Sequence, residues 1–413
     1  MKIKVQPFFE TIIALCIILD CESVWKWMHH SGYFRLALVA CFILPFVVLY
    51  MRKRVKLFRH DETMFGFIFL YLMIFFIYNA AFNPTHLLDT LQFVTIIVLM
   101  VLYFKDDTHI ESVMQRCSKI LAIIACVSLF FWLFGSILHI FTPSQELTVY
   151  TSDVPIIRRS YFYLHYEIQR EELLGGTIYR NTGIFYEGPK YVLLLAMVLS
   201  YELFLTDKPA YKRCIIFSIT ALSTFSMTGI YAIGLIWIMF FFTMFSTKTT
   251  KGLFFRIAFV LVLFLVGTQV VSYVEDMFNL KASTASFSTR MDNYQAGFEA
   301  WKEHLIMGAG YLNMETVMAH YSSFRLNDVG FSNSVFRVLA QGGLYLSIIY
   351  LIPMLKMLTS GINRRNGKLL AFLLIYLYFF ITTSFPYNYI NYMALLLMYF
   401  GMHEYSVSDV AIK

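Results

Sequence analysis

Apolar runs of bilayer-crossing length recur from one end of this chain to the other, and they fix its solvent before anything else. A helix needs about 20 mostly apolar residues to cross the ~30 Å hydrocarbon core. Hydrophobic residues make up 59% of the 413 positions and charged ones only 14%, a balance that excludes an ordinary soluble domain. Barrel strands would instead be short and alternating, so the chain reads as an all-α, polytopic integral membrane protein. Twelve spans fit, at roughly 7–25, 33–51, 63–82, 87–104, 118–141, 189–206, 213–226, 228–246, 254–274, 333–357, 368–385 and 388–403. The first lacks a small-residue cleavage site and reads as an uncleaved span. Spans seven and eight are the least distinct, because only the polar junction around Ser223, Thr224, Ser226 and Thr228 separates them.

Lys and Arg orient the set, since short cationic loops stay in the cytoplasm. The basic stretches at 51–60, 207–213, 246–256 and 361–368 fall on one side together with both termini. That side holds 21 of the 33 basic residues and the other side 12. One transmembrane domain, 1–413, then carries two long outward loops, 142–188 and 275–332. Loops of this length are usually functional. The six cysteines lie in or beside apolar runs, with no CxxC pair and no His at metal spacing, and read as small core side chains. No inverted pair of interrupted helices stands out, as it does in many secondary transporters.

The chain has no Walker loop, no GxGxxG after a strand, no HExxH and no GxSxG. Any chemistry therefore takes a substrate from the membrane or its outer face, with membrane lipid as a partner, no nucleic acid and no metal site. The outer loops offer Arg158, Arg159, Arg180 and Arg290 amid several Tyr. Guanidinium suits bidentate phosphate recognition and stays charged when partly desolvated. That mixture suits an anionic, lipid-linked glycan. The plain alternative is that these cations are solvated or meet lipid headgroups.

Three stretches concentrate the signal. In "RNTGIFYEGPKY" (180–191), Gly188-Pro189 starts span six, and Pro suits a first helical turn. Arg180, Lys190 and the free amides of that helix N-terminus form a candidate anion site. Glu187 is either a general base or a cap that orients Arg180. In "RMDNYQAGFEAWKEHLIMGAG" (290–310), Met291, Tyr294, Phe298, Trp301 and Leu305 recur at helical spacing and predict an amphipathic helix opened by Arg290. "GAG" (308–310) stops it. In "DVGFSNSVFRVLAQGGLYL" (328–346), Asn333 sits at the membrane lip and Arg337 one turn deeper. An ionisable group there is either functional or snorkels to the interface. Of the outward histidines 165, 304 and 320, His320, in one loop with Asp328, is the best acid–base candidate.

These stretches together resemble the O-antigen polymerase/O-antigen ligase superfamily of bacterial envelope enzymes, which includes the Wzy-type polymerases. "RNTGIFYEGPKY" is similar to that family's Arg-x-x-Gly-x-Phe-x-Glu-Pro pattern, with Gly188 inserted before Pro189. "STFSMTG" (223–229) resembles its polar hairpin, with Met227 where an Arg is common. "STR" (288–290), "GAG" and "FSNSVFRVLAQGGL" resemble its outer loop and the entry to the next span. The resemblance covers about 180–345. It implies a GT-C-like glycosyltransferase of the bacterial inner membrane that moves a glycan from undecaprenyl diphosphate to a sugar hydroxyl of a second lipid-linked unit. The sugar–diphosphate bond supplies the energy, so no cofactor is expected. A single in-line displacement would invert the anomeric centre, and a chain-length regulator is an expected partner. Diphosphate and glycan binding then fall to Arg180, Arg290, Lys190, Arg337, Asn333, Arg158 and Arg159, and the base to Glu187, Asp328 or His320. Ligases of the superfamily typically carry a His just before the outer-loop Asn. Here that stretch reads Gly330-Phe331-Ser332-Asn333, which favours a polymerase over a ligase; a flippase is the alternative from another class.

Overall fold

The computed structural model describes residues 5–27, 32–53, 59–105, 107–151, 154–173, 176–244, 285–325 and 330–401. The helices are α1 (Val5–Asp20), α2 (Val24–Trp27), α3 (Gly32–Lys53), α4 (Arg59–Phe82), α5 (Leu87–Phe104), α6 (Asp107–Phe131), α7 (Gly188–Phe204), α8 (Tyr211–Ser223), α9 (Met227–Met244), α10 (Ala285–Glu303), α11 (Glu315–Met318), α12 (Ser334–Asn363), α13 (Gly367–Thr382) and α14 (Tyr389–Tyr399). Eleven of the twelve expected spans overlap one of them, and the other, 254–274, lies outside the described residues. Among the described residues five stretches are long and apolar enough to cross a membrane: Phe65–Phe82, Pro84–Phe104, Thr108–Ile137, Met227–Met244 and Ser334–Asn363. On α4, Phe67, Leu70, Ile74 and Ile77 repeat at helical spacing and stay exposed, as a lipid-facing stripe should. The molecule is therefore a helical membrane protein.

At its centre stands α7, buried all round from Tyr191 to Phe204 and packed against α6, α8, α9 and α13. From Tyr191 to Leu199 its sequence is apolar on every face, the pattern of an enclosed helix, and the buried Glu202 near its end pairs with Arg213 (2.7 Å).

The segment between α6 and α7 adds a few short strands to the helical bundle. It folds into an antiparallel meander of β1 (Gln145–Thr151), β2 (Val154–Tyr161) and β3 (His165–Glu167), then a hairpin of β4 (Arg170–Leu173) and β5 (Gly176–Tyr179). Runs such as "ELTVYT" and "VPIIRRSY" are rich in β-branched and aromatic residues, a strand signal. The loop is anchored below, where a π-turn at Trp132–Ile137 ends α6 and the Trp132 indole donates to the Tyr179 carbonyl (2.9 Å).

The second outward loop is spliced into a span. α12 breaks at Gly343, whose φ of 60° and ψ of −161° leave the helix. Main-chain groups freed by the break pair with the end of the loop. Ala309 N donates to Ala340 O (2.8 Å) and Gly310 N to Gln341 O (3.1 Å), while Leu344 N and Tyr345 N donate to Leu305 O (3.0 Å) and Ile306 O (2.8 Å). Unpaired main chain is not tolerated at bilayer depth, so the splice is what makes the break possible. From the other side α4 clamps the same segment. The Tyr78 hydroxyl donates to Gly308 O (2.9 Å), and Asn79 and Asn83 hold the amide and carbonyl of Tyr311 (2.7 and 2.8 Å). "GAG" thus does more than stop a helix: Gly308 lies with φ of 71° so close to the Gln341–Gly342 backbone that a Cβ would collide.

The predicted amphipathic helix exists as α10. Its packed face is small and polar (Asp292, Asn293, Ala296, Gly297 and Ala300), set against α12, while Met291 and Phe298 are exposed. A close helix–helix approach favours small residues, so the large apolar ones turn outward. A buried ion pair pins this face. Arg325 reaches Asp292 (3.5 Å), donates to the Asn293 side chain and the Gly330 carbonyl, and lies over the Tyr321 ring (3.7 Å).

Candidate functional site

The chain segment "TTSFPYN" (382–388), between α13 and α14, is the point on which the outer elements converge. The Ser334 hydroxyl donates to Thr383 O (2.6 Å) and accepts from Phe385 N (2.9 Å), tying the start of α12 to this turn. Tyr294 of α10 donates to Ile381 O (3.1 Å). Asp20, at the end of α1, accepts from Tyr389 N (2.9 Å) and from the Asn388 amide (3.3 Å), and pairs with Lys26 (3.2 Å).

Two predicted cations contact it, and a third lies at the neighbouring hairpin. Lys190 Nζ donates to the Ser384 carbonyl. Arg337 Nη1 donates to the Ser384 hydroxyl (2.9 Å), and its guanidinium lies 5.6 Å from the centre of the Tyr387 ring. Arg290 reaches Thr228 (3.5 Å), whose carbonyl also accepts from Tyr378 near the end of α13 (3.0 Å). Among the described residues none of the three has a carboxylate partner. Lys190 and Arg337 thus sit just past the C-terminus of α13, where the helix dipole favours cations.

Polar capacity is left over here. Arg337 Nε, the Tyr387 hydroxyl and Asn333 Nδ2 are buried atoms without a hydrogen-bond partner. Asn333 is 1% exposed, and its oxygen caps α12 by accepting from Phe336 N (2.9 Å), so only its amide donor remains. Each buried donor left unmade costs about 1–3 kcal/mol. An anionic, hydroxyl-rich ligand is the kind of group that would relieve all three.

"RNTGIFYEGPKY" forms a strap beneath this site. Phe185 bridges to Ser23, Val24 N donates to Ile184 O (2.9 Å), and the Asn181 side chain donates to Ser223 Oγ of the polar hairpin (2.9 Å). The strap therefore joins two of the motifs on which the resemblance rests. Two expectations for it change. Glu187 occupies the N-cap position of α7, yet its side chain makes no cap bond; Gln169 supplies that cap by accepting from Gly188 N (3.1 Å). The helix terminus also offers few free amides, because Gln169 takes that of Gly188, Pro189 has none, and that of Tyr191 returns to Glu187 O (3.2 Å). Arg180 is half-buried where β5 enters the strap, its amide donating to Gln169 O (2.9 Å).

The remaining candidates lie elsewhere. Arg290 is the sixth residue of α10 rather than its first. Arg159 is exposed on β2 and faces Glu146 (3.8 Å), with Arg158 beside it opposite Leu147. His320 pairs with Glu303 (3.0 Å) at the exposed edge of α10. Asp328 lies outside the described residues. His165 is buried in β3 against Ser136 (3.4 Å), and burial lowers its pKa to about 3. Among the described residues no cluster of three His, Cys, Asp or Glu side chains suits a metal ion.

Sequence reasoning passed over Ser384, Tyr387 and Tyr311. The signal was present in "TTSFPYNYIN", a polar and aromatic knot between two apolar spans too close together to leave a loop. The Tyr311 and Tyr387 rings meet at 4.6 Å beside Arg337.

No curated protein matches the chain. The O-antigen ligase family model matches residues 214–351, from α8 through the break in α12, and includes Arg290, Asn333 and Arg337 but not Lys190 or Ser384. Residues 214–351, about a third of the chain, are thus similar to the O-antigen ligase family, in line with the resemblance to the O-antigen polymerase/ligase superfamily.

Proposed function

We propose that the protein is a polysaccharide polymerase of the inner membrane, with a GT-C-like bundle whose outer face transfers a glycan from undecaprenyl diphosphate to a hydroxyl of a second lipid-linked repeat. The observation that carries this reading is the convergence of Lys190 and Arg337 on Ser384 without a carboxylate partner among the described residues. Cations arranged this way are matched to a diphosphate, and arginine to its bidentate form. Charge grows on the departing diphosphate oxygen as the anomeric C–O bond breaks, so preorganised cations lower the barrier most there. The acceptor oxygen forms the new bond on the opposite face and gives its proton to a carboxylate. Glu187 suits that role, three residues before Lys190 at the start of α7. Tyr311 and Tyr387 offer ring faces and hydroxyls for sugar.

Loss of the gene separates the readings. A polymerase leaves single repeats joined to the lipid A–core, a ligase leaves polymer on the carrier only, and a flippase leaves repeats facing the cytoplasm. The absence of a His at Ser332, before Asn333, favours the first. Full-length polymer made by both Arg337→Ala and Arg290→Ala variants would sink the diphosphate assignment.

A further inference from the structure

An exposed apolar surface runs from the end of α6 onto the turn between β2 and β3. On α6, Ile123, Cys126, Phe130 and Leu133 are exposed at three- and four-residue spacing, one stripe on a stretch long enough to cross a membrane. The stripe does not stop with the helix. Leu138, Ile140 and Phe141 in the segment that follows are exposed as well, and so are Phe162, Tyr163 and Leu164 in the turn. Rings join the pieces. Phe141 lies 5.6 Å from Phe130 and 6.5 Å from Phe131, and Phe131 lies 6.0 Å from Phe162.

The turn itself is built against local preference. Leu164 N donates to Tyr161 O (2.9 Å), which makes Phe162 and Tyr163 the central residues, with φ of 52° and 60°. Turns with both central residues in the left-handed region ordinarily take Asn and Gly, and a bulky side chain there is strained. Among the described residues no other two adjacent non-glycine residues share this conformation. The rings do not fill a core in return, since Phe162 is 62% exposed. Strain of this kind persists where something besides local folding uses the residues.

The main chain here suits an apolar medium. The amides of Leu138, His139, Ile140 and Phe141 donate to the carbonyls of Leu133, Gly135 and, for the last two, Phe134. Phe162 N donates to the Ser144 hydroxyl oxygen (2.7 Å). Unpaired amides would be costly away from water.

We propose that the β2–β3 turn is a membrane anchor. Phe162, Tyr163 and Leu164 enter the interfacial zone of the leaflet in which α6 ends, on the lipid surface that the α6 stripe already faces. A loop tip comes from water, so sinking its rings into that zone gains hydrophobic free energy, and aromatic residues favour this level of the bilayer. The meander is then held at two points, by the Trp132 hydrogen bond to Tyr179 at its foot and by lipid at its tip.

The test uses the full chain in phospholipid nanodiscs, with the photoreactive residue benzoylphenylalanine in place of Phe162 or, in a separate protein, of Thr148. Thr148 is exposed on β1, opposite Ile157 and away from the tip. Illumination followed by intact-mass spectrometry reads what each position captures. Lipid adducts are expected at Phe162 and at least about tenfold fewer at Thr148, the ratio that burial of one large apolar side chain supports. A second protein carries the probe at Leu164. There Phe162→Asn combined with Tyr163→Gly is expected to cut lipid capture by a similar factor, while hydrogen exchange of β2 and β3 stays slow, because Asn-Gly suits the turn. Absence of lipid adducts at Phe162, or equal capture at Thr148, overturns the proposal. Capture of a second copy of the chain in place of lipid also overturns it and marks the patch as an interface between copies. So does undiminished lipid capture in a double variant that keeps its sheet. Where the double variant loses its sheet, the comparison of Phe162 with Thr148 decides alone.

Discussion

Lys190 and Arg337 come from two different helices and donate to one residue, Ser384, the lysine to its carbonyl and the arginine to its hydroxyl. In the proposed site an anion would take over the hydrogen bonds that Ser384 accepts. We predict that Lys190→Ala and Arg337→Ala each lower the rate of chain elongation by about 10²-fold or more, the range for loss of one preorganised donor. The double variant should lose less than the product of the two, because both act on one group. Arg337→Lys should restore only part of the rate, since an ammonium cannot make the forked contact. Elongation measured on purified, monodisperse protein checks all four.

Glu187 and Asp328 compete for the role of base. Glu187→Gln keeps the shape of the strap and removes the charge. We predict that it cuts turnover by about 10²-fold or more, in line with loss of a general base, and by more than Asp328→Asn does. The reverse order would move the base into the second outer loop.

The first outer loop should respond to acid through His165. Its folded pKa, lowered to about 3 by burial, lies below the ordinary histidine value of ~6.5. The unfolded loop therefore binds the proton first as pH falls through ~6.5, and the folded sheet loses stability from there down to about pH 3. The slope approaches about 1.4 kcal/mol per pH unit between those limits and vanishes above neutrality. Hydrogen exchange of β2 and β3 at pH 5 against pH 7.5 should show the opening, and His165→Gln should flatten the difference.

Asp292 and Arg325 are 3% and 2% exposed at their side chains, and the pair fixes α10 to the loop that follows it. Removing one partner strands a buried charge, which costs about 3–5 kcal/mol. Arg325→Met alone should free α10 to proteolysis; joined with Asp292→Leu it should recover much of the loss. Limited proteolysis and thermal melts of the single and double variants decide this.

Sequence periodicity carried the bundle well, because span length and apolarity are set by the bilayer rather than by partners. Lys190, Arg290 and Arg337 stand out in the sequence because charge is scarce in such a chain. The orientation of α10 was not legible. Met291 and Phe298 look like a core face until a neighbouring helix demands small residues, and that demand comes from α12, far along the chain. The strands of the first loop were hidden for a different reason, as short half-exposed segments carry a weak pattern beside twenty-residue apolar runs. Ser384 was invisible because its contribution includes a main-chain carbonyl, which any residue would supply.

The splice at Gly343 has a practical corollary for engineering relatives with exchanged specificity. A graft that swaps the second outer loop at the visible lip of the spans would cut through the pairing of 305–310 with 340–345 and leave amides and carbonyls stranded at depth. A transplantable cassette has to begin before α10 and end beyond Tyr345, carrying the upper part of its span with it. Its seat, Tyr78, Asn79 and Asn83 on α4, has to travel as a second piece.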